Sequence, residues 1–357
     1  MKKFAIYLPQ FHRCKENDQF WGEGFTDWVT TKAAKKIYFD HDQPMIPKNG
    51  YYDLSNKEEI ISQAKLARDS GINGFAIYHY RFDQETKALY EPLEIIINNP
   101  EIDIEFYLSW VNTDWTKSWV GDDKTTIFKQ KYNTQFYEHF FAETIKAFHD
   151  ARYLKIDNKP VFHIHHPENF DIQPFIEMGN AMAIKAGFSG ITWTAPLIYV
   201  SKSQESYFDF LEGYPPGDLK FYNISRIPLL NRLFRYIIPN FFIKSFLYRL
   251  LNTFTFKNYS TKYKTYLNSI HNNYKNYIPC ILTNWDNTPR YANRGYVLRN
   301  PYPHLFHDLL RFSINLFKDQ NPPFVIIKAW NEWAEGNFLE PDKNFASERL
   351  EGLLEIE

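Results

Sequence analysis

The stretch PFVIIKAWNEWAEGNFLEPD, residues 323–342, changes character halfway along. Its first half is a near-continuous apolar run, the pattern of a strand buried on both faces of a parallel sheet. Its second half places Glu332 and Glu335 three residues apart, between and beside Trp330 and Trp333, with Gly336 directly after. Glu340 follows in the same segment and reads as a structural partner. Carboxylates and tryptophans at the end of a buried strand suggest chemistry as well as packing, and the rest of the chain repeats the design.

Working outward, seven further runs read as strands: 4–8, 73–80, 103–110, 160–166, 190–195, 208–214 and 277–285. Helical spacing of apolar residues predicts helices over 57–71, 86–99, 132–151, 171–187 and 303–319, the first stopping at Gly71. Strands alternating with helices imply parallel β/α organisation, and we expect a (β/α)8 TIM barrel forming one catalytic domain over 1–357. A doubly wound sheet is the alternative, but no glycine-rich fingerprint follows the first strand. In a barrel the C-terminal strand ends converge on one face. That face would gather His79 and Tyr80, Trp110 and Asn112, His165 and His166, Trp193, Asn284 and Trp285, and Asn331 with Glu332.

Residues 225–257 stand apart: they are rich in Leu, Ile and Phe, are broken by Pro239, carry Arg235, Lys244 and Arg249, and hold no acidic residue. The charges and the proline interrupt any membrane span. The segment reads as an inserted amphipathic helical element, either packed on the barrel or in peripheral contact with a membrane.

The bulk composition narrows the function. With a net charge of -1, the chain carries no field that would collect nucleic acid, so a nucleic-acid partner is not expected. Cys14 and Cys280 lie far apart without metal-ligand spacing, which suits a reducing, cytoplasmic setting. The N-terminal apolar run is short and ends at Pro9, so it reads as a first strand and not as a signal peptide. Aromatic residues make up 18% of the chain, and such rings can grip the apolar faces of sugars as well as fill a core.

Glycosidic cleavage needs a proton donor and a second carboxylate, and residues three apart on a helical turn have Cβ atoms ~5–6 Å apart. Glu332 and Glu335 meet that requirement if NEWAEG turns helically out of the last strand; the competing reading is a solvated turn. Burial beside tryptophans would raise one carboxyl, and repulsion would separate the titrations of the two. The histidines of HIHHPE (163–168) lack a strong ligand spacing, so neither a metal nor a cofactor is expected. The FDHD run (39–42) contains an Asp-x-Asp triplet without a nucleotide-binding half around it.

Several motifs together resemble a known family. AIYLPQFH (5–12), EGFTDW (23–28), HDQPMIPKNGYYDL (41–54), GFAIYHYRF (74–82), KIDNKPVF (155–162), WDNTPR (285–290) and WNEWAEGNFLEPD (330–342) are similar, in order, to the WbsX-like polysaccharide-biosynthesis proteins. Those proteins are themselves similar to glycoside hydrolase family 99, the endo-α-mannosidases and mannanases. The resemblance implies a (β/α)8 barrel and a retaining mechanism through a 1,2-anhydro sugar. By it, Glu332 is expected to be the base for the sugar 2-hydroxyl and Glu335 the acid that later activates water. The candidate substrate contacts are Tyr7, His12, Trp28, Tyr78, His79, Tyr80, Trp110, Asn112, Asn284, Trp285, Asn331 and Trp333. The expected partner is an oligosaccharide or polysaccharide, including a lipid-linked one, met in the cytoplasm or at the inner membrane surface. Thr113 departs from the family, whose members commonly carry a glutamate there. Two alternatives stand beside the hydrolase or transglycosylase: a nucleotide-sugar glycosyltransferase, and a non-catalytic glycan-binding module.

Overall fold

The computed structural model describes residues 1–117, 122–219 and 241–356. Eight parallel strands form the barrel: β1 (Lys2–Tyr7), β2 (Gly74–Arg81), β3 (Glu105–Trp110), β4 (Lys159–Ile164), β5 (Thr192–Pro196), β6 (Phe210–Glu212), β7 (Tyr277–Ile278 and Cys280–Leu282) and β8 (Phe324–Lys328). Each strand pairs in parallel with the next, and β1 pairs with β8. The first piece of β7 pairs with β6 and the second with β8, so the ring closes through β7. Pro279 separates the two pieces because it brings no N–H to the ladder. Its carbonyl still accepts from the Ile326 N–H at 2.9 Å.

Helices between and after the strands cover the outside: α1 (Lys57–Asp69), α2 (Glu91–Asn98), α3 (Thr134–Phe148), α4 (Gln173–Lys185), α5 (Phe256–Asn273) and α6 (Pro303–Phe317). Asn56 caps α1, Asn133 caps α3 and Thr255 caps α5, each side chain accepting a backbone N–H of the first turn. The lower barrel is filled by aromatic rings from three strands, with Phe4, Tyr107 and Phe324 centred 5.2–5.5 Å apart. Gly74 is required where β2 passes Phe4, since a Cβ there would stand 2.3 Å from that ring.

The eight strands and five helices expected from the pattern are present, and the barrel supersedes the doubly wound alternative. The sequence reading did not anticipate α5, nor the antiparallel hairpin of Trp115–Lys117 with Asp122–Phe128 that extends from the end of β3. Of the segment 225–257, residues 225–240 lie outside the described residues. Its remainder forms a helix, Phe241–Asn252, and a short strand, Thr253–Thr255, paired in parallel with Val297–Arg299. Among the described residues no helix is long and apolar enough to cross a membrane.

Candidate active site

Beyond β8 the chain makes a small hairpin, in which Asn331–Glu332 pairs with Asn337–Phe338 across the 3-10 turn Trp333–Glu335. Glu332 immediately precedes the turn and Glu335 ends it, close enough for the Glu335 charge to act on Glu332. Gly336 ends the turn at φ 59°, where a Cβ would meet Asp286 at 2.8 Å. That close approach lets the Asp286 N–H donate to the Glu335 carbonyl at 2.6 Å, so the loop after β7 braces the turn after β8.

The two carboxylates have different surroundings. Glu332 is buried and accepts from Asn337 Nδ2 at 2.9 Å, while Asn337 in turn accepts from Thr283 Oγ1 at 2.9 Å. Burial pushes its carboxyl up to about 7; Lys328 opposes the rise, Glu335 adds to it, and Arg290 and the Asn337 bond oppose it. Glu335 is partly exposed and accepts from Arg290 Nη1 at 2.7 Å. Arg290 also reaches the fully buried Asp27 with Nη2 at 3.2 Å, making an Asp27–Arg290–Glu335 chain. Lys328 is buried, its ammonium 4.3 Å from the Tyr214 ring centre and 5.5 Å from that of Trp285. Burial disfavours its charge, but Tyr214, Glu332 and Glu335 outweigh burial and hold its pKa above the ordinary lysine value.

Glu335 and Lys328 line an open cleft of about 390 Å³ at the C-terminal mouth of the barrel, together with Tyr199, Tyr214, Trp285, Tyr291, Arg294 and Tyr296. Beneath it, His165 packs edge-on against Tyr214 and Tyr78, with ring centres at 5.0 and 5.6 Å. Among the described residues neither ring nitrogen of His165 has a partner, and burial, with His166, His163 and Lys328 nearby, keeps it neutral. Deeper still, His163 Nδ1 lies 2.9 Å from Glu212. Aromatic faces, a carboxylate pair and buried donors at one barrel mouth can hold a sugar ring and move protons at its anomeric centre.

Strand alternation divides the expected contacts. Tyr78 and Tyr80 point into the mouth, and burial followed by the Glu332 charge raises the Tyr78 hydroxyl pKa. Tyr80 accepts from Gln10 at 2.9 Å, and Trp285 forms part of the cleft wall. Their neighbours point the other way. The Tyr7 hydroxyl donates to Gln63 of α1 at 2.8 Å, His79 packs on Phe140 of α3, and Trp110 stacks on Phe175 of α4. These three, with Trp193 against Phe141, belong to the layer between sheet and helices, because successive strand residues face opposite sides.

Other expected contacts support the rim. Asn331 exchanges two hydrogen bonds with the Leu8 backbone, at 2.7 and 3.0 Å, and Asn112 exchanges two with the His166 backbone, both at 2.7 Å. His12 is buried with Nδ1 on the Pro9 carbonyl at 2.7 Å, and Trp28 donates to the Tyr52 carbonyl at 2.7 Å. Trp333 stacks on Phe338 and donates to Glu340, which also accepts from Tyr52. Asn284 lines a separate cavity of about 270 Å³ on the other side of the β7 loop, beside Asp286. Asp40 of the FDHD run pairs with Arg249, and Asp42 with Asn344.

The sequence reading missed Arg290, Asp27, Lys328 and Tyr214. Three of them sat inside quoted stretches, as the Asp of EGFTDW, the Arg of WDNTPR and the Lys of PFVIIKAWNEW. Their signal was a charged residue amid apolar and aromatic ones, but a partner 263 positions away along the chain is invisible without the fold.

Residues 3–353 match the family described as Glycosyltransferase WbsX. The chain belongs to the WbsX family. It is 28% identical over 350 residues to the WxcX proteins of two strains of Xanthomonas campestris pv. campestris, covering 95% of this chain and 47% of each relative. The WbsX-family chain thus spans about half the length of the curated relatives it matches. Among solved structures it is similar to a glycoside hydrolase-like protein, at TM-score 0.57 and 14% identity, covering 99% of this chain and 93% of that one. It is also similar to the GH99 endo-α-mannosidase of Bacteroides thetaiotaomicron, at TM-score 0.56 and 11% identity, covering 99% and 95%. At such identities these likenesses establish the barrel fold that this family member shares with them.

Proposed function

We propose that this WbsX-family chain is a glycan-processing enzyme, a retaining glycoside hydrolase or transglycosylase acting on a bacterial surface polysaccharide or its precursor. The observation that carries the reading is one small hairpin at the barrel mouth, with Glu332 on its first strand held by Asn337 and Glu335 on its 3-10 turn held by Arg290, beside an aromatic cleft. Glu332 removes the proton of the sugar 2-hydroxyl, and that oxygen attacks the anomeric carbon as the glycosidic bond breaks. Glu335 gives its proton to the departing oxygen, then takes one from water or a sugar hydroxyl that opens the 1,2-anhydro ring, while Glu332 returns its proton to the freed 2-oxygen. A carboxylate raised to about 7 is a stronger base than an ordinary glutamate, which suits the weakly acidic hydroxyl. Tyr214, Trp285 and Tyr78 are the substrate contacts this geometry favours.

A second reading exchanges the two roles. It is favoured by burial, which raises the Glu332 carboxyl and lets it hold a proton, with Glu335 beside the Arg290 cation at 2.7 Å. Glu332→Gln and Glu335→Gln, assayed on α-linked oligosaccharides and on aryl glycosides with good leaving groups, separate the possibilities. Each change should lower turnover of the oligosaccharide by about 100-fold or more. The variant that lost the acid keeps its activity on the activated glycoside, and we expect that to be Glu335→Gln. Unchanged turnover in both variants would exclude this pair as the catalytic groups. A requirement for a nucleotide sugar, or glycan binding without any turnover, would instead favour the transferase or the binding module.

A further inference from the structure

The helix Phe241–Asn252 is polar on its inner side and apolar on its outer side. Ser245, Tyr248 and Asn252 are buried, whereas Phe246 and Leu250, one turn apart, are 66% and 65% exposed, and Phe242 continues their stripe at 71%. This inverts the usual arrangement of a surface helix, whose apolar stripe faces the core. The inner polar groups fix the helix to the protein: Ser245 Oγ accepts from the Phe39 N–H at 3.0 Å, and Tyr248 donates to the Gly295 carbonyl at 2.7 Å. The outer stripe is therefore presented on a fixed support.

Charge identifies what meets it. From residue 241 to residue 285 the sequence holds six Lys and Arg and not one Asp or Glu, although the whole chain has 41 basic and 42 acidic residues; of the six, Arg249 on the helix itself pairs with Asp40 at 3.0 Å. A helix with exposed Phe and Leu inside a long basic segment matches an anionic bilayer, where rings and aliphatic chains enter the acyl boundary and cations meet headgroups.

We propose that this helix docks the protein onto an anionic membrane surface. The strand that follows it, Thr253–Thr255, lies beside Val297–Arg299, and Tyr291, Arg294 and Tyr296 just before that partner strand line the cleft holding Glu335. The docked helix is thus joined to the cleft rim through this strand pair. On the glycosidase reading, and only on it, the substrate class this selects is a glycan carried on a membrane-embedded lipid.

Flotation of the full chain with phosphatidylglycerol–phosphatidylcholine vesicles tests the docking without using turnover. Binding is expected to the mixed vesicles, not to phosphatidylcholine alone, and to fall at about 1 M NaCl, where the Debye length is ~3 Å. Phe246→Glu/Leu250→Glu should weaken binding by at least about tenfold, since each added anion is repelled by the surface as insertion is lost. The same variant should keep its melting temperature and its turnover of a water-soluble oligosaccharide. Absence of wild-type binding, equal binding by the variant, or a concentration-dependent dimer that the variant abolishes would each overturn the proposal. Failure of the glycosidase reading would appear only in the oligosaccharide assay.

Discussion

Lys328 ends β8 and Glu332 lies four positions on, in the hairpin beyond it, and the charge of each acts on the other. Burial raises the glutamate to about 7, and the lysine is the strongest influence holding it down. As a base Glu332 must be ionised, so turnover should climb as pH rises through the neighbourhood of 7. Replacing the cation, Lys328→Met, removes the opposing charge and should move that limb to higher pH by about one unit. The measurement is kcat/KM against pH for both proteins; a limb that stays in place would show that the lysine serves packing against Tyr214 and Trp285 alone. A limb that falls with pH in the wild type would assign the proton, and the acid role, to Glu332.

Three separate elements meet at Arg290: the helix Asp27–Ala33 through Asp27, the short helix Thr288–Tyr291 through Arg290 itself, and the turn after β8 through Glu335. Removing the cation alone leaves Asp27 buried without its partner, a change that typically costs ~3–5 kcal/mol. Arg290→Met should therefore unfold at markedly lower denaturant, and Asp27→Asn/Arg290→Met should recover part of the loss; additive losses in the double variant would deny the coupling. Gly336→Ala tests the same junction from the backbone side, since φ 59° and the 2.8 Å approach to Asp286 both oppose a side chain. It should lower stability and turnover together, read by melting and by oligosaccharide assay. The strands themselves were legible because parallel strands buried on both faces read as apolar runs. The face each residue takes was not: Tyr7, His79 and Trp110 sit one position from inward-facing residues, and only register decides between sheet interior and helix layer. Helix α5 escaped notice because Tyr259, Tyr263, Leu267 and Ile270 bury it amid Lys, Asn, Ser and Thr, so its apolar stripe is written largely in tyrosine.

At the scale of the whole molecule, closing the barrel gathers buried carboxyls at its mouth. Burial pushes Asp218 and Glu332 up to about 7 and Glu340 up to about 8, the Tyr52 and Trp333 bonds to Glu340 opposing the rise. In the unfolded chain these groups lose their protons near pH 4, so between there and neutrality the folded protein binds more protons than the unfolded one. Their stabilising effect is complete below the ordinary carboxyl pKa and is lost as pH rises through 7 to 8, each unit of displacement corresponding to about 1.4 kcal/mol. The folded protein should thus melt several degrees lower at pH 8.5 than at pH 6, a drop of about 5 °C or more. Glu340→Gln keeps an oxygen to accept from Tyr52 and Trp333 but cannot ionise, so its melting temperature should fall less over the same interval. A parallel pair of curves would mean that Glu340 stays ionised in the fold, and that its two short hydrogen bonds outweigh the burial.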